Sequence, residues 1–289
     1  FYSDKAEEKT GPMSELGLSQ ETIDTAGTTL GVSGANEAKR VQKEYMQNHR
    51  LNIPTLLMAD IIHGFRTIFP IPLALGSTWD EAAVEKMAEI SAKEAAVSGL
   101  HVTFSPMVDL VRDPRWGRVM ESTGEDPLLN SRLAAAMVRG YQGENLKEDN
   151  WRVAACVKHF AAYGGALAGR DYNTVDMSER QLREMYLPGY KAGLDAGAKL
   201  VMTSFNTVDG IPATGNQWLF RDVLRNEFGF EGVVISDWGA IKELIPHGVA
   251  KDEKQAAELA IKAGVDIEMM TTCYPDYLKE LLEEGRIAE

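Results

Sequence analysis

Short apolar runs alternate with amphipathic stretches along almost the whole chain. The runs at residues 29–32, 56–60, 101–109, 153–160, 200–204, 232–235 and 265–269 are aliphatic or β-branched and too short for helices, so they read as strands buried on both faces. Between them the spacing predicts helices over 37–50, 80–98 and 129–141. Asp80 stands as N-cap of the second and Gly99 closes it. A fourth helix starts at Ser178 and is interrupted or kinked by Pro188. A fifth, over 218–228, carries Phe220, Val223 and Leu224 on one face and ends at Gly229. Ala256, Leu259, Ala260 and Ala263 mark a sixth, and a last helix covers 277–284. Residues 1–27, broken by Gly11-Pro12 and Gly17, read as an irregular lead-in.

Strands alternating with helices at this spacing imply βαβ units and a mostly parallel sheet, either open and doubly wound or closed. No Gly-x-Gly-x-x-Gly turn follows an early strand, as a dinucleotide fold would require. Polar residues end nearly every strand: Asp60, Asp109, Lys158-His159, Ser204 to Asn206, Asp237 and Glu268. A barrel brings such ends to one rim, where active sites are built. The expected fold class is therefore α/β, a TIM-type (β/α)8-like barrel with one strand missing or irregular.

Composition narrows the function. With 289 residues, a formal net charge of −13 and a pI near 5.0, the chain suits one large domain and is ill matched to nucleic-acid phosphates or an anionic membrane surface. No apolar run approaches the ~18 residues of a membrane span. Cys156 and Cys273 read as two buried free thiols, which fits a reducing compartment and a cytoplasmic location. No signal peptide is evident, but the chain starts at Phe1, which suggests a removed leader or a trimmed protein. No metal or cofactor is expected.

Asp237 ends the run Gly232-Val233-Val234-Ile235-Ser236 and is either a helix cap or a functional carboxylate on a rigid scaffold. Asp60 allows the same two readings. Lys158 lies within Ala154-Ala155-Cys156-Val157-Lys158-His159-Phe160, where an unpaired ammonium would cost several kcal/mol; a pocket lined with carboxylates removes that cost. Arg112, Arg115 and Arg118 are interleaved with Asp113, Pro114, Trp116 and Gly117, which reads as a fixed loop with internal ion pairs and Glu121 and Glu125 as counter-charges. Met202 and Phe205 read as core or pocket wall.

Lys158-His159-Phe160, Arg112-Asp113-Pro114-Arg115-Trp116-Gly117-Arg118 with Gly124-Glu125-Asp126-Pro127, Met202-Thr203-Ser204-Phe205-Asn206 and Ser236-Asp237-Trp238 together resemble the N-terminal barrel domain of glycoside hydrolase family 3, the β-glucosidase and β-xylosidase branch. The resemblance runs from about Leu51 onward. It implies that Asp237 is the nucleophile of a retaining mechanism. It also implies that Asp60, Arg118, Lys158, His159 and Arg170 clamp the hydroxyls of the non-reducing-end sugar, with Met202, Phe205 and Trp238 also at the substrate. Many relatives carry Tyr in place of Phe205, and its hydroxyl can reach the nucleophile.

A retaining glycosidase needs two carboxyl groups, one ionised as nucleophile and one protonated as acid, about 5–5.5 Å apart. Lys158, Arg118 and a protonated His159 would favour the ionised form of Asp237. The resemblance implies that the acid is a Glu of a following C-terminal α/β domain, absent from residues 1–289. The β-N-acetylglucosaminidase branch instead uses a His-Asp dyad on the loop after Lys-His-Phe, and residues 161–176 contain no His. The expected partners are a small β-glucoside or oligosaccharide and the chain's own C-terminal domain, with homo-oligomer assembly left open. Two other readings compete: a Schiff-base lyase using Lys158, and a non-catalytic sugar-binding barrel.

Overall fold

A computed structural model describes residues 20–288 except Ser33 and Asn173. Its centre is a parallel sheet in sequential order: β1 (Thr28–Leu30), β2 (Leu56–Ala59), β3 (Val102–Thr103), β4 (Ala154–Phe160), β6 (Leu200–Thr203) and β9 (Val233–Ile235). β5 (Thr174–Val175), β7 (Thr207–Val208) and β8 (Ile211–Pro212) form a small separate sheet on the rim. In the main sheet each strand pairs with the next in the chain, the signature of successive right-handed crossovers. The fold is the TIM-type α/β barrel expected.

Two of the seven anticipated strands are shorter than their apolar runs. Residues 101–109 pair with β2 and β4 only at Val102–Thr103, and Met107 adds a single bridge to Lys158. The run 265–269 is reduced to one bridge, Ile235 to Ile267. An apolar run reports burial, not hydrogen bonding, so neither run pairs over its whole length. Among the described residues no ladder joins β1 to Ile267, so the sheet curls into a barrel with a seam there.

The helices are α1 (Gln20–Thr25), α2 (Ala35–Asn48), α3 (Pro72–Gly76), α4 (Glu81–Val97), α5 (Pro127–Gln142), α6 (Glu179–Gln181), α7 (Leu187–Asp195), α8 (Glu253–Ala263) and α9 (Cys273–Glu283). α1 corrects the irregular lead-in at its end; residues 1–19 lie outside the described residues. Capping fixes the helix starts. Asp80 accepts from the Ala83 amide at 3.0 Å, Asp126 from Leu129 at 2.7 Å and Asp252 from Gln255 at 2.8 Å. Ser178 caps α6, which runs through a π-helical turn, Leu182–Tyr186, into α7, where Pro188 lies in the first turn. The anticipated interruption is thus a π-turn: Pro188 has no amide hydrogen to give, and the wider turn absorbs the loss. Residues Trp218–Glu227 are π-helical throughout and bury Phe220, Val223 and Leu224 as expected. The last helix starts at Cys273, earlier than its apolar spacing indicates, because the Glu268 carboxylate accepts the Cys273 and Tyr274 amides and so caps it from outside.

The core has two layers. Leu133, Val138, Val157, Tyr190, Val201, Phe220, Val234 and Ala260 fill the space between sheet and helices. Met58, Val102, Phe104, Cys156, Leu200, Met202, Ile235 and Met269 fill the barrel interior, contributed at alternate positions of successive strands. Cys156 and Cys273 are both buried free thiols. Gly232 lets β9 start against β6, since a Cβ there would meet the Lys199 carbonyl oxygen at 2.2 Å.

Candidate active site

The polar strand ends meet at the C-terminal rim. The register of β4 against β6 advances three residues on β4 for two on β6 between Val157 and Phe160. One extra residue breaks the alternation of side chains, and adjacent Lys158 and His159 both reach the same pocket. Lys158 Nζ donates to Asp60 Oδ1 at 2.7 Å. His159 Nδ1 lies 2.7 Å from Asp109 Oδ2, which also accepts the His159 backbone N–H at 3.0 Å. On the other side of the ring, His159 Nε2 lies 3.4 Å from Asp237 Oδ2.

Asp237 is anchored through its backbone. Its amide donates to Thr203 Oγ1 at 3.2 Å, and the Ser236 amide donates to the Ile267 carbonyl at 2.8 Å. The Met269 amide donates to Ser236 Oγ at 2.8 Å and that of Gly239 to the Met269 carbonyl at 3.0 Å. Asp237 Oδ1 accepts the Trp238 amide at 2.6 Å, whereas Oδ2 is buried without a well-directed partner among the described residues. A helix cap would accept from an amide two or three residues on. Asp237 Oδ1 accepts from the next residue only, so its carboxylate is not placed as a helix cap.

The arginine loop is fixed as expected. Asp113 pairs with Arg115, and the Trp116 indole N–H donates to Asp171 at 3.0 Å. Arg118 forks onto Glu121 at 2.7 and 3.0 Å and lies over the Tyr163 ring at 5.6 Å. Burial opposes its charge, but the Glu121 pair outweighs that and holds the guanidinium above its ordinary range. Glu121 is the counter-charge anticipated; Glu125 is exposed and in no ion pair among the described residues. A Cβ at Gly164 would meet the Leu110 carbonyl oxygen at 2.3 Å, so glycine allows the loop after β4 to pass against the arginine loop, where the Arg112 amide donates to the Gly164 carbonyl.

Electrostatics separate the carboxyl groups. Burial pushes Asp109 up to about 6, and burial, followed by the Arg118 charge, pushes His159 down to about 3. Burial therefore disfavours a charged His159 ring beside Asp237, so the condition attached to its help is not met, while the Arg118 charge does act on that carboxylate. Glu243, on the turn after Asp237, is pushed up to about 7 by burial and then by the Asp237 charge.

The remaining anticipated residues divide. Phe205 is buried in a rim cluster with Trp116 and Tyr163, and its ring lies 4.4 Å from that of half-exposed Tyr172. Met202 belongs to the barrel interior. Trp238 is exposed beside the nucleophile candidate. Arg170 is exposed on the rim, with no ion pair among the described residues. The sequence reading gave Asp109 no site role, although an acid at the end of an apolar run was a signal; Tyr190, buried within α7, gave none.

The arrangement offers an anchored carboxylate with one free oxygen, two cations and a histidine. Comparison with known proteins gives the family. The family model for the glycosyl hydrolase family 3 N-terminal domain matches residues 23–289. A periplasmic β-glucosidase of Salmonella typhimurium is 48% identical over 90% of this chain and 34% of its own length. A β-xylosidase of Formosa agariphila is 36% identical over 87% of this chain and 37% of its own. The crystal structure of a Listeria innocua β-glucosidase in complex with glucose superposes with a TM-score of 0.96 at 59% identity, covering 99% of this chain and 40% of that one. The chain thus spans between a third and two fifths of the length of these relatives. It belongs to glycosyl hydrolase family 3, and residues 23–289 match that family's N-terminal domain.

Proposed function

We propose that the protein is a retaining, exo-acting β-glucosidase that releases the non-reducing-end glucose from β-glucosides through a covalent glycosyl ester on Asp237. The observation that carries this reading is the free Oδ2 of Asp237, buried at a strand exit and faced by His159. In a retaining mechanism this oxygen attacks the anomeric carbon and the aglycone leaves with a proton; water then cleaves the ester. Asp60, Lys158 and Arg118 offer charged partners to sugar hydroxyls, and held hydroxyls align the anomeric carbon for attack. Arg170, Phe205, Met202 and Trp238 complete the proposed sugar surround. The acid is proposed to be a Glu of a C-terminal domain, in keeping with the greater length of the relatives. A cytoplasmic location stays part of the proposal on the strength of the two free thiols.

A β-xylosidase is the second reading, supported by the Formosa relative; the higher identity to β-glucosidases favours glucose. A Schiff-base lyase is disfavoured because Lys158 is ion-paired to Asp60, whereas such a lysine must react as a neutral amine. The test is incubation with a 2-deoxy-2-fluoro-β-glucoside bearing a dinitrophenyl leaving group, followed by peptide mass spectrometry. The expected result is one fluoroglucosyl group on Asp237, formed faster than with the xyloside analogue. Borohydride trapping of a carbonyl substrate on Lys158, or a folded protein with no fluoroglucosyl adduct, would overturn the reading.

A further inference from the structure

Behind the sugar-facing side of His159 lies a closed polar network. Asp109 is wholly buried and receives groups on both oxygens. Oδ2 meets the His159 amide and Nδ1, and Oδ1 meets the Tyr190 hydroxyl at 2.8 Å. The same hydroxyl lies 2.5 Å from the His159 carbonyl oxygen, so its one hydrogen can turn to either acceptor. The backbone and the ring of His159 are thus held by two residues that do not themselves reach the pocket.

The proton count is decided at the other end of the ring. Nε2 and Asp237 Oδ2 are both buried, 3.4 Å apart, and neither makes a well-directed hydrogen bond among the described residues. If Nδ1 simply donates to an ionised Asp109, Nε2 is left with a lone pair facing the oxygen of an ionised nucleophile. Two buried acceptors then oppose each other, which costs desolvation with no compensating bond. Placing a proton in the Asp109 Oδ2 to Nδ1 hydrogen bond frees the ring to carry its hydrogen on Nε2, and every close contact then has a donor and an acceptor.

We propose that Asp109 is a positioning residue that holds one proton jointly with His159, so that Nε2 carries its hydrogen on the side that faces the Asp237 carboxylate and the sugar hydroxyl bound beside it. The inference rests on the glycosidase reading for its substrate but not for its proton. The groups facing His159 are Asp109 and Tyr190 from behind, Asp237 in front, Arg118, Glu121 and Lys158 through their charges, and the Tyr163 ring edge-on at 5.4 Å. Loss of the shared proton as pH rises returns the two acceptors to opposition and weakens both sugar binding and the alignment of the nucleophile.

The variant that isolates this proton is Asp109→Asn in the full-length protein. The His159 amide must still donate to the atom at the Oδ2 position, so the asparagine oxygen sits there and Nδ1 is forced to donate to it. Nε2 is then bare unless the ring becomes an imidazolium. The rate of Asp237 labelling by the fluoroglucoside is expected to fall on the order of 100-fold at neutral pH, with the basic limb of its pH profile displaced to lower pH. Tyr190→Phe removes a donor to the Asp109 carboxylate and is expected to displace the same limb to higher pH; it serves also if Asp109→Asn does not fold. Nitrogen-15 shifts of His159 in the parent protein give a readout apart from catalysis: a protonated Nε2 near pH 6 is expected. An unprotonated Nε2 there, or limbs unmoved in the folded variants, would overturn the proposal, whereas a protonated Nε2 in a protein that takes no label would overturn only the glycosidase reading.

Discussion

Lys158 Nζ and Asp60 Oδ1 lie 2.7 Å apart, yet the lysine side chain is 4% exposed and its partner 62%. The two ends of this ion pair therefore answer differently to substitution. Lys158→Met removes a buried charge and leaves a carboxylate that water can reach, so stability should stay within about 1 kcal/mol of the parent. Asp60→Ala leaves the ammonium buried and should cost about 2 kcal/mol. Both should lower kcat/KM for an aryl β-glucoside by about 10- to 100-fold, the value of one charged hydrogen bond to a sugar hydroxyl. Thermal melts and steady-state kinetics on the pair check this; equal destabilisation by both changes would contradict it.

Arg118 reaches Glu121 with two parallel hydrogen bonds, from Nε and Nη2. Lysine cannot reproduce that fork. Arg118→Lys should therefore lower kcat/KM by roughly 10- to 100-fold, with the melting temperature nearly unchanged. Activity close to that of the parent would show that only the charge matters.

Glu243 offers a pH test of stability. Its carboxyl is raised to about 7 in the folded protein, by burial first and by Asp237 second. The folded state then binds more protons than the unfolded one between the ordinary Glu range and about pH 7, so stability declines as pH rises through that window. Solvent reaches part of the group, which reduces the effect to about 1 kcal/mol. Glu243→Gln should match the parent near pH 4 and exceed it by that amount at pH 8, as read from urea unfolding. A constant difference at both pH values would contradict the assignment.

Both thiols are buried and their ionisation is pushed well up, chiefly by burial. Neither should react with a disulfide reagent in the native protein at pH 8, and both should react once it is unfolded. Rapid titration of either thiol without unfolding would show that its surroundings open.

The alternation of apolar runs and amphipathic stretches determined the α/β class, the helix caps at Asp80 and Ser178 and the interruption at Pro188, because these depend on local spacing and on which residue can satisfy a nearby amide. The polar strand ends and the motifs around Asp237, Lys158 and Arg118 named most of the groups that the fold gathers in the candidate site, because strand exits in a barrel share one rim. Tertiary structure decided the rest. The strand lengths at 101–109 and 265–269 depended on how far each run pairs with its neighbours, which burial alone does not report. The one-residue advance in β4 that turns both Lys158 and His159 into the pocket arises from its register against β6. The downward push on His159 comes from burial first and then from the Arg118 charge, and its contacts with Asp109 and Tyr190, 50 and 31 residues away in sequence, form only in the folded chain. Local pattern specifies which groups a segment carries; only packing sets which groups share a low-dielectric space, and there their protons are decided.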